Sequence, residues 1–81
     1  MKFDVDITIA LKEGILDPEA RAIAHALANL GFATEKLSTA RIFRVTLDAA
    51  SAESAKNIAA QMCERLLANP VIHRYMVEVK R

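Results

Sequence analysis

The chain has little of what ordinarily marks a disulfide framework, a metal centre or a phosphate-binding loop. Its 81 residues include two glycines, two prolines, one cysteine and two histidines. A lone Cys63 cannot close an intrachain disulfide, and with two histidines it falls short of a structural zinc set, so the composition points to a reducing cytoplasm. Gly14 is the only glycine in KEGILDP, which excludes a glycine-rich phosphate cradle of the Walker or dinucleotide type. Eleven basic residues face ten acidic ones, a net charge of +1 with no run or stripe, so electrostatics nominates neither nucleic acid nor lipid. No stretch approaches the roughly 20 apolar residues of a membrane span. The opening MKFDVDITIALK alternates where a signal peptide would be continuously apolar, and the chain is expected to begin directly with structure.

What is present is 53% apolar and 26% charged residues, the composition of one compact domain spanning residues 1–81, too short for a second core. A domain of this size hides only about 60% of its unfolded surface on folding. Self-association is the usual remedy.

From Lys2 to Lys12 the apolar residues Phe3, Val5, Ile7, Ile9 and Leu11 alternate with polar or small ones, which predicts a strand with one buried face. Asp17 before Pro18 and Glu19 is a helix start: a capping acid, a proline whose missing N–H is harmless, and negative charge where the helix dipole favours it. The stripe Ala20, Ile23, Ala24, Leu27, Leu30 follows at helical spacing, and Gly31 supplies the stop. Residues Thr34 to Asp48 predict one bent strand or a hairpin pair, with the clearest signal from Ile42 to Leu47. Ser51 caps a second helix with the row Ala55, Ile58, Ala59, Met62, Leu66, and Asn69-Pro70 ends it. Val71 to Val79 alternates again and predicts a final strand.

This order implies an α+β fold of ferredoxin-like type, β-α-β-(β)-α-β, with an antiparallel-type sheet and both helices on its odd-numbered, apolar side. Phe3, Val5, Ile7, Leu27, Phe43, Val45, Leu47, Ile58, Leu66 and Val77 are expected to share one interior. The opposite row carries Asp4, Asp6, Thr8, Ile42, Arg44, Thr46, Ile72, Arg74 and Met76, a mixed surface suited either to a partner or to water.

Catalytic chemistry finds no constellation. Cys63 sits mid-helix with no neighbouring base, and His25 shares a polar helix face with Arg21 and Asn29. His73 opens the last strand, where it suits a partner contact or a backbone hydrogen bond at the rim. Asp4 and Asp6 share a strand face near Arg44 and Arg74, a setting for ion pairs rather than for acid–base work. Phe3, Phe43 and Tyr75 fall on the core row, leaving no aromatic platform for RNA bases.

The residues that stand out are ILDPEA after LKEG, LGF at the end of the first helix, TLDA at a strand end, and above all MCERLLANPVIHRY. In these the chain resembles the PurS family, small subunits of phosphoribosylformylglycinamidine synthase. The resemblance runs over essentially the whole chain, and its specific part is the block with Met62, Cys63, Glu64, Leu66, Leu67, Asn69, Pro70, Val71, Ile72 and Tyr75. One departure is Ala40-Arg41, where the family often has Gly-Lys.

The resemblance implies a chain that is not catalytic alone but is a subunit of an ATP-dependent glutamine amidotransferase and ligase. Formylglycinamide ribonucleotide, glutamine and ATP become formylglycinamidine ribonucleotide, glutamate, ADP and phosphate in purine biosynthesis. A glutaminase subunit releases ammonia and a large synthetase subunit, using ATP and magnesium, activates the substrate amide. The small subunit, as a homodimer or tetramer, joins the two and supports ammonia transfer, holding no cofactor or metal itself. Candidate interface residues are Ile42, Arg44, Asn69, Pro70, Ile72, Arg74 and Met76. A small regulatory domain that binds an amino acid or nucleotide between subunits is the alternative, with Gly14 as the faint version of its loop.

Overall fold

A computed structural model describes residues 1–80. Three strands and two helices follow in the order β1 (Lys2–Leu11), α1 (Pro18–Asn29), β2 (Ala40–Asp48), α2 (Ala52–Met62) and β3 (His73–Val79), and a π-helical turn, Cys63–Leu67, continues α2. The sheet order is β2-β1-β3, antiparallel throughout. The α+β class and the antiparallel sheet stand as the alternation predicts.

β1 is buried most completely because it lies between the other two strands. Phe3, Val5, Ile7 and Ile9 are all buried. Ile7 stands opposite Phe43 on one side and Val77 on the other, and Val5 opposite Val45 and Val79. α2 closes this apolar face with small residues at intervals of four, Ala55, Ala59 and Cys63, each wholly buried against the strands. Their small size lets the helix axis approach the sheet closely. The described residues contain no buried polar side chain.

Both helix starts form as the cap residues dictate. Asp17 Oδ1 accepts from the Ala20 amide at 3.0 Å and Ser51 Oγ from the Ser54 amide at 3.1 Å. α1 ends in a Schellman turn, the Phe32 amide donating to the Leu27 carbonyl at 2.8 Å and Gly31 to Ala28 at 3.0 Å. Gly31 adopts φ +98°, which only glycine reaches without strain.

Four expectations need correction. The first concerns α1, which does not lie on the apolar face beside α2. Ala20 is buried but lies outside the cluster beneath α2, and Leu27 is half-buried outside it. α1 instead projects past the end of the sheet, packing on its own return segment, where Ala20, Ala24, Thr34 and Leu37 share one recess. The Asp17–Thr39 bond at 2.9 Å ties that segment to the helix start. The molecule is accordingly long, 50 × 25 × 16 Å, with a radius of gyration of 16.0 Å against the about 12 Å of a compact chain this size.

Second, of the two alternatives for residues 34–48 the single strand forms, but it is shorter than that span. Thr34 to Thr39 is irregular, and β2 begins at Ala40 opposite Ala10. Extended pairing needs no glycine, which explains how Ala40 is accommodated there. Third, Leu66 points outward and is 84% exposed. The Ala68 amide donates to the Cys63 carbonyl at 2.8 Å, a five-residue step that widens the last turn and rotates the apolar row, so Cys63 and Ala68 take the inward places. Fourth, β3 begins at His73 rather than Val71. The Asn69 carbonyl accepts from both Ile72 (3.1 Å) and His73 (2.7 Å), which wraps the chain into a turn before the strand can start.

Candidate functional site

The open face of the sheet gathers four of the seven candidate interface residues. Cross-strand pairing sets Ile42 and Met76 on either side of Thr8, Arg44 beside Asp6, and Arg74 beside Ala10. Ile42 is 54% and Met76 70% exposed, an apolar pair bracketing a threonine in the middle of a polar surface. Asp6 collects two cations, Arg44 Nε at 3.7 Å and Lys80 Nζ at 3.8 Å, while Thr46 Oγ1 donates to Asp4 Oδ1 at 2.8 Å. Lys80, not Arg74, is thus the second cation on Asp6, because Arg74 pairs four positions further along β1. These carboxylates have hydrogen-bonded or cationic neighbours in solvent, the setting of ordinary surface ion pairs.

The other three candidates lie in the turn between the π-helical turn and β3. Asn69 organises it: its Oδ1 accepts from the Val71 amide at 2.9 Å, and its own amide donates to His73 Nδ1 at 2.9 Å. Lys12 clamps the same turn from the end of β1, its Nζ donating to the Pro70 carbonyl and its amide to the Ile72 carbonyl at 2.9 Å. Ile72 lies within this turn and is half-buried. His73 is a rim histidine with a backbone hydrogen bond, one of the two roles its position suggests.

Next to the turn, Tyr75 Oη donates to Glu64 Oε2 at 2.9 Å. That bond, with partial burial, raises the phenol above its ordinary value. Burial and the adjacent Glu64 also push the Cys63 thiol up, away from the thiolate a nucleophile requires. Among the described residues no group of three or more His, Cys, Asp or Glu side chains is placed to hold a metal ion, and no helix is long and apolar enough to cross a membrane.

The sequence pattern did not disclose a second surface, an apolar groove between β2 and α2. Phe43 and Val45 form its floor and Ile58, Met62, Leu66 and Leu67 its wall. This is the part of the sheet that a second helix covers in a two-helix sandwich, and the chain's own α1 lies elsewhere. α1 meanwhile exposes Ile23, Leu30 and the adjoining Phe32. No signal in composition separates the two helices, since the stripes of α1 and α2 each hold two alanines and three bulky residues.

What these surfaces define is a small α+β protein with an exposed apolar groove and a mixed open sheet face. The model of the phosphoribosylformylglycinamidine (FGAM) synthase PurS family matches residues 4–81. PurS subunits of that synthase are similar over nearly their full lengths: the Archaeoglobus fulgidus protein is 49% identical over 73 residues, 89% of this chain and 91% of that one. The Methanothermobacter thermautotrophicus protein is 46% identical over 79 residues, 98% and 94% of the two chains. Among solved structures, PurS of Methanocaldococcus jannaschii superposes with a TM-score of 0.88 at 36% identity, covering 98% of this chain and 96% of that one. A chain of the Thermotoga maritima PurLQS structure gives 0.89 at 28% identity, covering 98% of each. The chain belongs to the PurS family of FGAM synthase subunits.

Proposed function

We propose that this chain is the non-catalytic small subunit of phosphoribosylformylglycinamidine synthase, and that as a self-associated unit in the cytoplasm it joins the glutaminase and synthetase subunits. Ammonia released from glutamine then reaches the synthetase without being lost to solvent. ATP and magnesium act on the synthetase, and this chain holds no cofactor.

The observation that carries the self-association is surplus surface. The chain exposes 6224 Å², whereas a compact monomer of 8.9 kDa exposes about 4,800 Å². The excess of about 1,400 Å² exceeds the roughly 800 Å² each partner buries in a standard interface and reaches the range of obligate dimers. The apolar groove on Phe43 and Val45 and the exposed Ile23 and Leu30 of the α1 stripe are complementary in kind and lie on one chain. A two-fold pair of copies that each seat α1 against the other's groove covers both. The mixed face around Ile42, Arg44, Arg74 and Met76 remains free in that arrangement for the larger subunits.

The supporting observations for the joining role are the family membership and the likeness to a chain of PurLQS. A regulatory domain of the same topology would bind a small ligand, and an amino acid or purine nucleotide would then raise its thermal midpoint. The test of the joining role is co-purification. The three chains mixed at micromolar concentration are expected to elute as one complex, and loss of association between the two large subunits on omitting this chain is the expected consequence. A complex of the two large subunits that forms equally well without it would overturn the reading.

A further inference from the structure

Around the turn that precedes β3, one hydrogen bond has an unusual acceptor. The Ala68 amide closes the π-helical turn, and the next amide, that of Asn69, is satisfied not by a carbonyl but by the imidazole Nδ1 of His73 at 2.9 Å. A ring nitrogen accepts only while it carries no proton, so this contact fixes the neutral ring with its hydrogen on Nε2. A second proton on the ring occupies Nδ1 and turns the acceptor into a donor facing another donor. Bond and imidazolium exclude each other.

We propose that His73 is a proton-operated latch on the junction between α2 and β3: the neutral ring holds the Asn69–His73 turn closed, and protonation releases it. The turn is built so that this release propagates. The Asn69 carbonyl holds the amides of Ile72 and His73, and Lys12, just after β1, reaches the Pro70 and Ile72 carbonyls, so this one turn is tied both to the start of β3 and to the end of β1. The charged and titratable groups sharing the recesses beside the ring are Lys12 just after β1, Glu64 and Cys63 from the π-helical turn, Arg74 and Tyr75 from β3, Glu19 from α1 and Arg41 from β2. Lys12, Arg74 and Arg41 outnumber Glu64 and Glu19, and Glu64 is engaged by Tyr75. The acidic members therefore do not form a dedicated counter-ion for the imidazolium, and acidification opens the latch.

The test compares unfolding in urea at about pH 7.5 and about pH 5, spanning the range in which imidazoles take up a proton, at one fixed protein concentration. Wild type is set beside His73→Asn, whose side-chain oxygen replaces Nδ1 without titrating, and beside His73→Leu, which has no acceptor. Between the two pH values wild type is expected to lose about two- to tenfold more of its folding equilibrium constant than His73→Asn, the scale of one hydrogen bond. His73→Leu is expected to match wild type at the lower pH only. His25→Asn, on the exposed side of α1, is expected to leave the difference intact. Nitrogen NMR of the wild type supplies a reading that needs no variant: Nδ1 unprotonated at about pH 7.5, and an Asn69 amide shift that follows the ring on acidification. An identical pH response in wild type and His73→Asn, or a proton on Nδ1 at the higher pH, would overturn the proposal.

Discussion

The Ala68 amide donates to the Cys63 carbonyl at 2.8 Å, and this five-residue step decides which leucine faces the sheet. Leu67 turns inward and Leu66 outward into the groove on Phe43 and Val45. Two substitutions therefore separate folding from association. Ile7→Ala, at a fully buried central position, is expected to cost about 2–5 kcal/mol at every protein concentration. Leu66→Asp is expected to leave circular dichroism unchanged and to abolish the rise of Tm with protein concentration, because its side chain is exposed in the single chain and covered by the second copy in the proposed pair. A concentration-independent Tm in the wild type would contradict the seating of α1.

The open sheet face gives a different separation. Met76→Asp and Ile42→Asp are expected to keep the self-associated state intact by sedimentation while weakening capture of the large subunits, since each places a charge where an apolar pair is to be covered. Ile72→Asp is expected to lower stability as well, because Ile72 sits half-buried in the Lys12-clamped turn rather than on the open row. Arg74→Glu is expected to act in the same direction as Met76→Asp and less strongly. Full recruitment by Met76→Asp would show that this row faces water.

Asp17 sets the acid behaviour of the projecting lobe. Its carboxyl lies below the ordinary carboxylate range because it accepts from the Ala20 amide and then from the Thr39 hydroxyl. A lowered folded-state value means stability that is present above the unfolded carboxyl's titration near pH 4 and is lost as pH falls through the folded value. Amide protection in the first turn of α1 is expected to fall below about pH 4 in the wild type. Asp17→Asn, which still caps but does not titrate, is expected to flatten that dependence.

Cys63 is expected to resist alkylation in the folded protein at about pH 8 and to react at once in urea, because it is wholly buried and its thiol is raised by burial and by Glu64. Cys63→Ala, which removes the sulfur without adding a polar atom, is expected to preserve glutamine-dependent synthesis by the assembled enzyme. Loss of turnover in a folded, assembled Cys63→Ala enzyme would give the thiol a role it lacks here.

Alternation, caps and stops made the local elements legible. Phe3 to Ile9 could only be a half-buried strand, and Asp17-Pro18 and Ser51 could only open helices. Tertiary placement was less legible, for physical reasons. The stripe Ala20, Ile23, Ala24, Leu27, Leu30 says that α1 has an apolar side but not whose apolar surface covers it, since a groove on the same chain and one on a second copy read alike. Helical period was likewise the wrong ruler for Leu66, because one widened turn rotates every later residue without altering the spacing of apolar residues before it. The odd-even rule placed Ile42, Arg44, Arg74 and Met76 together correctly, and misjudged Ile72 because the Asn69 turn consumes the residues that would have begun the strand.

Nitrogen transfer in the reconstituted enzyme tests the central claim most directly. Synthesis of formylglycinamidine ribonucleotide is measured with the glutaminase and synthetase chains, with and without this chain, using either glutamine or free ammonia as donor. The account predicts no turnover by this chain alone, glutamine-dependent synthesis only when it is present, and ammonia-dependent synthesis by the synthetase that survives its omission. Glutamine-dependent synthesis at the same rate without this chain would contradict it.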